Sequence, residues 1–291
     1  MIDTVAHSIH TETGKSLGVT AYATSDVPLK AVLVLCPAMG VKQSFYKDFA
    51  RFMAAKGLAT YTFDYNGIGA SSKGAIKDCT TDLKEWASDI ERVGEYAKKE
   101  HKNLPLFAVT HSVGGQLLGL SASAGNWDAI VTVASQSCYW KYWSGIHRLR
   151  MWFFFHALLP GLAKVVGYFP AKRLGLFENL PKGSALQWSK WAKQPLYMRG
   201  EFPKAHFQAI TCPIHAYSFS DDEEFAPKSA VDWLHQQFNK ATVQRFHIAP
   251  KEVNLNKIGH FSFFRASMKP IFWDRVYSFF EKESNKRLIK L

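Results

Sequence analysis

The chain has 291 residues, enough for one large domain or two small ones. Apolar residues make up 47% of the sequence and charged residues 21%, a composition that excludes extensive disorder. Lys and Arg outnumber Asp and Glu by 36 to 24, and the resulting net charge of +12 favours an acidic partner, an anionic surface or nucleic acid.

The N-terminal residues and the cysteines indicate the compartment. No basic stretch followed by an apolar core opens the chain, so we expect no signal peptide. The cysteines are widely separated and form no Cys-x-x-Cys pair: Cys36, Cys79, Cys138 and Cys212. We therefore expect a cytoplasmic protein without a zinc site or a disulfide framework. Residues 151–169 are nearly long enough to span a bilayer, but Pro160 and Lys164 make spanning costly.

Strand and helix patterns alternate along most of the chain. Residues 7–24 are predicted to form antiparallel edge strands, and the continuous apolar run 31–36 predicts a strand covered on both faces. The further predicted strands are 58–65, 104–110, 127–134, 212–219 and 242–248. The predicted helices are 43–56, 81–100, 113–124, 227–238 and 268–286. This alternation is typical of a mostly parallel sheet with helices on both faces.

Residues 139–206 interrupt the alternation and are too many for a loop in a compact domain. Their helical, aromatic character predicts a cap inserted into a core formed by residues 1–138 and 207–291. The segment holds 11 Lys and Arg against two Glu, a net charge of +9, and leaves only +3 for the core. We therefore expect the charge to serve an anionic lipid surface or an acidic carrier. Nucleic acid is not expected, because no nucleic-acid-binding module or phosphate loop is present.

A candidate nucleophile lies where the strand 104–110 turns into the helix 113–124. The sequence Thr-His-Ser-Val-Gly-Gly, with Ser112 at its centre, matches a nucleophile elbow, in which a sharp turn exposes one side chain at a helix N-terminus. Gly114 allows strand and helix to pass closely, whereas Thr110 stands where the usual pattern has Gly. We interpret the neighbouring His111 as structural.

A nucleophilic serine needs a base and a carboxylate that orients the base. His260 lies in a loop between the last strand and the last helix, from which it can reach the sheet edge. The acid is expected just after the strand 212–219, where Asp222 is our first choice and Asp221 the alternative. For the oxyanion hole we predict the N–H groups of Val113 and Met39, with Ala38 as second choice to Met39.

These residues together resemble the α/β-hydrolase family, in a branch of largely uncharacterised bacterial serine hydrolases of the esterase/lipase type. The resemblance rests on Pro37-Ala38-Met39-Gly40, the turn that follows Asp64, the elbow around Ser112, the Asp221-Asp222 pair and Gly259-His260, which occur in the family's order. It implies an eight-stranded, mostly parallel sheet with the helical cap inserted after the sixth strand. It also implies a Ser112–Asp222–His260 triad that works without a cofactor or metal.

The sequence thus predicts a serine hydrolase that cleaves carboxylic esters of hydrophobic acyl or aromatic substrates. Aromatic side chains of the predicted cap are expected either to bind the substrate or to form the core of the cap itself: Trp152, Phe155, Trp188 and Trp191. The same triad also suits a thioesterase, lactonase, amidase or acyltransferase, and a degenerate binding module on this scaffold is the non-enzyme alternative.

Overall fold

The computed structural model describes residues 1–11 and 14–288. The strands are β1 (Ile2–His10), β2 (Ser16–Thr24), β3 (Ala31–Cys36), β4 (Leu58–Phe63), β5 (Leu106–His111), β6 (Ala129–Val133), β7 (Tyr168–Phe169), β8 (Leu180–Pro181), β9 (Ile214–Phe219) and β10 (Val243–Ile248). The α-helices are α1 (Lys47–Ala55), α2 (Leu83–Glu100), α3 (Val113–Leu117), α4 (Gly145–Phe153), α5 (Leu159–Val166), α6 (Lys182–Ala192), α7 (Lys228–Gln236) and α8 (Asp274–Leu288).

Eight strands form one sheet in the order β1-β2-β4-β3-β5-β6-β9-β10. The pairs β1–β2 and β2–β4 are antiparallel, and the remaining neighbours are parallel. The central strands β3 and β5 are completely buried because helices cover both faces of the sheet. The predicted eight-stranded, mostly parallel sheet with antiparallel edge strands is confirmed.

The core is divided by the sheet into two layers. One face packs against α1 and α8, where Phe49, Met53 and Phe280 are buried. The other face packs against α2 and α3, where Trp86 and Leu117 are buried. The parallel strands therefore end at one common edge, where the loops after β3, β5, β6 and β9 meet.

Several helix boundaries differ from those predicted. The helix after Ser112 ends at Leu117 and continues only as a 3₁₀ turn to Leu120. The Ser121 hydroxyl then accepts a hydrogen bond from the Ser123 N–H, which competes with helix continuation. Helix α2 begins later than predicted, because Asp82 caps it by accepting a hydrogen bond from the Glu85 N–H.

Between β6 and β9, the segment 139–206 contains α4, α5, α6 and the short hairpin β7–β8. A π-helical turn, Phe154–Leu158, joins α4 to α5. The resulting helix, Gly145–Val166, is the one helix in the described ranges that is long and apolar enough to cross a membrane. Only 22% of its most apolar stretch is buried inside the protein.

Candidate active site

Ser112 lies in a strained turn between β5 and α3. Its backbone adopts φ 50° and ψ −114°, a conformation that residues other than glycine rarely adopt. A Cβ atom at Gly114 would lie 2.5 Å from the Cys36 carbonyl oxygen, and one at Gly115 would lie 2.3 Å from Ser135 Oγ. The sequence Ser-Val-Gly-Gly therefore lets α3 pass directly beneath the end of β3.

His260 and Asp222 form a buried pair. His260 Nδ1 lies 2.7 Å from Asp222 Oδ2, and both side chains are almost completely shielded from solvent. The neighbouring Asp221 accepts hydrogen bonds from the Ile258 and Gly259 N–H groups at 2.8 and 3.0 Å. Asp221 therefore holds the loop that carries His260, and Asp222 contacts the ring itself.

The hydrogen bond to Asp222 determines which ring nitrogen of His260 is available. A carboxylate only accepts, so Nδ1 donates to it and Nε2 is the ring nitrogen left for another partner. Ser112 and His260 line the same cavity. Within residues 1–11 and 14–288 no hydrogen bond joins their side chains.

His111 connects the histidine loop to the loop after β3. Its Nε2 donates to the His260 carbonyl at 2.9 Å, so its Nδ1 accepts from the Tyr46 hydroxyl, also at 2.9 Å. The Tyr46 oxygen in turn accepts from the Ala38 N–H at 2.8 Å. Burial, with His260 nearby, holds the pKa of His111 well below its usual range, so the ring is neutral. This chain of buried bonds joins both sides of the site.

The amide groups near Ser112 differ in their availability. The Ala38 N–H is occupied by Tyr46, so it is not free to bind another group. Val113 is the first residue of α3, and its N–H has no partner within the helix. In the described part of the chain, no hydrogen bond of the Met39 N–H to another protein group is found. The geometry therefore favours Met39 over Ala38 as the second free donor.

Asp64 has a structural position. Its carboxylate accepts hydrogen bonds from the Gln43 N–H at 2.7 Å and from the Ala70 N–H at 2.8 Å. Gly69 approaches so closely that a Cβ atom there would lie 2.3 Å from Asp64 Oδ2. The carboxylate thus holds the turn after β4.

A cavity of about 340 Å³ lies next to Ser112 and His260. Its walls come from the loops at the carboxyl edge of the sheet and from the segment 139–206, and they are mainly apolar. The lining residues are Ala38, Met39, Ser112, Gln136, Cys138, Trp143, Met151, Phe154, Phe155, Leu158, Leu174, Leu176, Phe177, Trp188, Glu224, Phe225, His260 and Phe261.

Two of the four predicted substrate-binding aromatics, Phe155 and Trp188, line this cavity, and two do not. Trp152 is 45% exposed and stacks on His156 on the outer side of α4. Trp191 is buried within the segment and donates its indole N–H to Glu201 at 2.6 Å. The expectation for Trp152 and Trp191 is corrected accordingly. The sequence pattern predicts that each of them lies on a helix. The packing of α4 and α6 decides which side of each helix faces the cavity.

Two further lining residues, Phe177 and Phe225, lie in irregular loops, where no periodic pattern marks a buried side. Phe177 also packs on the loop after β3: a Cβ atom at Gly40 would lie 2.6 Å from its ring. The next residue, Glu178, donates its N–H to the Gly40 carbonyl at 2.9 Å and pairs with Lys42 and Lys172. The segment 139–206 is therefore bonded directly to the backbone beside Met39.

Part of the chain matches a known protein family. Residues 27–179, which include Ser112 but neither Asp222 nor His260, match the model of a family described as serine aminopeptidase, S33. A monoacylglycerol lipase of Mycolicibacterium smegmatis is 30% identical over 95 residues, and this match spans 33% of each protein.

Solved structures of similar fold cover nearly the whole chain. A thermostable carboxyl esterase of Bacillus coagulans aligns with a TM-score of 0.65 at 11% identity, covering 97% of this chain and 99% of that one. An esterase of Butyrivibrio proteoclasticus with bound ferulic acid aligns with a TM-score of 0.64 at 17% identity, covering 96% and 99%. A haloalkane dehalogenase variant of Bradyrhizobium elkanii aligns with a TM-score of 0.66 at 14% identity, covering 98% and 99%. At these identities the alignments establish the fold alone.

The family match covers more than half of the chain, and the sheet topology agrees with it. The chain therefore belongs to the family described as serine aminopeptidase, S33, and has the α/β-hydrolase fold.

Proposed function

We propose that the protein hydrolyses carboxylic esters of hydrophobic acyl or aromatic substrates, with Ser112 as nucleophile, His260 as base and Asp222 as the acid that orients the base. One observation carries this proposal: Ser112, in its strained turn, shares an apolar cavity with His260, whose Nδ1 is bonded to Asp222. The bond from Nδ1 to Asp222 leaves Nε2 as the nitrogen that would accept the Ser112 proton, as nucleophilic catalysis by serine requires.

In the first half of the reaction, Ser112 Oγ attacks the ester carbonyl carbon and its proton passes to His260 Nε2. The carbonyl oxygen becomes an oxyanion that accepts hydrogen bonds from the Met39 and Val113 N–H groups. Asp222 stabilises the charged imidazole. The C–O bond of the ester then breaks, and the leaving alcohol takes the proton from Nε2.

In the second half, a water molecule gives its proton to His260 Nε2 and attacks the acyl-enzyme carbonyl. The second tetrahedral intermediate forms in the same oxyanion hole. Its collapse returns the proton to Ser112 Oγ and releases the carboxylic acid, so the enzyme is restored without a cofactor.

The cavity wall supports an ester rather than a peptide substrate. An aminopeptidase must hold the α-ammonium group of its substrate, which requires paired acceptors, whereas Glu224 is the one acidic side chain in this lining. The long apolar walls around Phe155, Leu158 and Trp188 suit an acyl chain or an aromatic ring. The partial match to a monoacylglycerol lipase adds long-chain monoacylglycerol to the substrates that should be tested.

The nucleophile is tested with a fluorophosphonate probe and with hydrolysis of p-nitrophenyl butyrate. We expect the probe to label Ser112, and Ser112→Ala to lose labelling and nearly all turnover while its Tm stays unchanged. Ser88→Ala, on α2 and outside the cavity, is the matched control and should behave as the wild type. Full hydrolysis by Ser112→Ala would contradict the proposal.

The substrate class is tested by a panel of esters of graded acyl length, thioesters, lactones and aminoacyl amides, with Ser112→Ala as blank. Medium or long acyl esters are expected to give the highest kcat/KM. Exclusive turnover of acetate esters, or a preference for aminoacyl amides, would overturn the proposed substrate class but leave Ser112 as nucleophile.

A further inference from the structure

The helix Gly145–Val166 presents two different sides. Its inner side lines the cavity with Met151, Phe154, Phe155 and Leu158. Its outer side exposes four large apolar residues, which we call the outer stripe. These residues and their exposed fractions are Ile146 (58%), Leu149 (64%), Trp152 (45%) and Phe153 (54%).

The outer stripe is an unusual surface for a protein in water. Its members follow the spacing i, i+3, i+6 and i+7, so they form one continuous strip along α4. Among the described residues, nine of the twelve large apolar side chains that are exposed lie in the segment 139–206. Exposed apolar surface gathered in one place marks a contact with a partner or a membrane.

Positive charge lies on both sides of the outer stripe. With each residue about 100° further around the helix, Arg148 lies next to Trp152 and Arg150 lies next to Ile146, on opposite edges of the strip. Both arginines are exposed. No Asp or Glu occurs from Tyr139 to Phe177. The stripe is therefore an apolar band between cationic edges, with no acidic residue of the same helix to neutralise them.

This distribution of charge decides between the partners that could cover the stripe. In a symmetric dimer the same patch occurs on both copies, so the arginines of one copy would face those of the other. An anionic lipid surface buries the apolar side chains and neutralises the arginines at once. We propose that the outer stripe docks the protein on the surface of a membrane that contains anionic phospholipid.

The helix lies on the membrane in this proposal and does not span it. Its inner side is held to the rest of the protein, because the Ser189 hydroxyl of α6 donates to the Phe155 carbonyl at 2.7 Å. The cavity that the inner side lines also has exposed apolar residues in its wall, Leu174, Leu176 and Phe225. Docking would thus bring apolar lipid chains close to a cavity with partly exposed apolar walls.

Vesicle flotation with the 291-residue protein tests the proposal, with phosphatidylcholine alone or mixed with phosphatidylglycerol. We expect binding to the mixed vesicles, weakened by added salt because the attraction is partly electrostatic. Leu149→Ser combined with Phe153→Ser should weaken partitioning by about tenfold or more, because it removes buried apolar area. Arg150→Gln should weaken it by about fivefold, the contribution of one surface charge.

The control variants are Val5→Ser on β1 and Lys102→Gln after α2, both exposed and remote from the segment. They should bind vesicles as the wild type does. Hydrolysis of a short soluble ester should be unchanged in the stripe variants, and Ser112→Ala should bind vesicles normally. Membrane docking and the proposed hydrolysis therefore succeed or fail independently of each other.

Three results would overturn the docking proposal. The first is equal or absent binding to neutral and anionic vesicles. The second is a concentration-dependent dimer that the wild type forms and the double stripe variant does not, which would make a second copy of the chain the partner. The third is capture by an acidic acyl carrier protein that Arg150→Gln abolishes, without any binding to vesicles.

Discussion

The core sheet and the segment 139–206 differ in what they bury. The core buries polar groups, whereas the segment exposes large apolar ones. In the core, polar groups such as Ser112, Asp222 and His260 are buried, and neither Gly114 nor Gly115, close to Ser112, has room for a Cβ atom. In the segment, large apolar groups are exposed and the net charge is +9. Close packing therefore holds the polar groups of the core, whereas the segment presents the surface that we propose docks on a membrane.

The largest effect on activity is expected when the two adjacent aspartates are substituted one at a time. Asp222→Asn should lower kcat for a soluble ester by about four orders of magnitude, because an amide cannot stabilise the charged form of His260. Asp221→Asn should lower kcat by less than about tenfold but should lower the Tm, because it weakens two hydrogen bonds to the loop backbone. Equal losses of kcat in the two variants would contradict the division of roles between them.

A smaller effect on activity is expected from Tyr46→Phe. This change leaves the Ala38 N–H and His111 Nδ1 without their partner, at a cost of about 1–3 kcal/mol in stability. Because His111 holds the His260 backbone, kcat should fall by roughly tenfold while KM stays within about twofold. Phe45→Leu, at the adjacent position, is the control. A normal kcat in Tyr46→Phe would show that the bonded chain does not position the base.

Leu158→Trp tests the segment in the same assay and should change preference rather than chemistry. The larger side chain fills part of the cavity, so kcat/KM for long acyl esters should fall by about tenfold or more, as steric exclusion implies. Turnover of the acetate ester should stay within about twofold. Leu158→Ala should shift the preference towards longer chains. A uniform loss over all chain lengths would place Leu158 outside the acyl-binding region.

The smallest effect concerns stability and pH. Burial, opposed in part by the Asn66 N–H bond and reinforced by Glu85, raises the pKa of Asp89 from 3.8 to about 7. The unfolded chain loses this proton near pH 4 and the folded protein only near pH 7, so the carboxyl group lowers stability progressively as pH rises across that window.

Asp89→Asn keeps an acceptor for the Asn66 N–H and removes the ionisable group. Its Tm should therefore rise at pH 8, by about 2–4 °C for each kcal/mol recovered, and change little at pH 4. The measurement is thermal unfolding by circular dichroism at both pH values, with Asp78→Asn, which is exposed, as control. A gain that is equal at both pH values would show that ionisation of Asp89 is not the cause.

The core could be predicted because its signals are local. Continuous apolar runs identify the buried strands, and Ser112 lies in a motif whose neighbours must be small for steric reasons. The choice between Asp221 and Asp222 needed coordinates, because both follow β9 directly and only the course of the loop decides which reaches His260. The availability of the Met39 and Ala38 N–H groups depends on Tyr46, a contact that no short-range pattern indicates.

The segment 139–206 could be predicted in outline but not in detail. Its helical aromatic character is evident from composition, whereas the orientation of Trp152 and Trp191 depends on how its helices pack. The π-helical turn Phe154–Leu158 adds to the difficulty, because one extra residue per turn rotates everything beyond it relative to α4. An ideal helical wheel therefore cannot assign inner and outer sides over the whole helix.

The contact between Phe177 and Gly40 has a kinetic consequence. Phe177 lines the cavity and also presses on the backbone next to Met39. An acyl chain that fits badly and displaces this ring would also disturb the donor proposed for the oxyanion, so poor substrates should be distinguished by a low kcat as well as by a high KM. Discrimination would then be made in the transition state, after binding has already occurred.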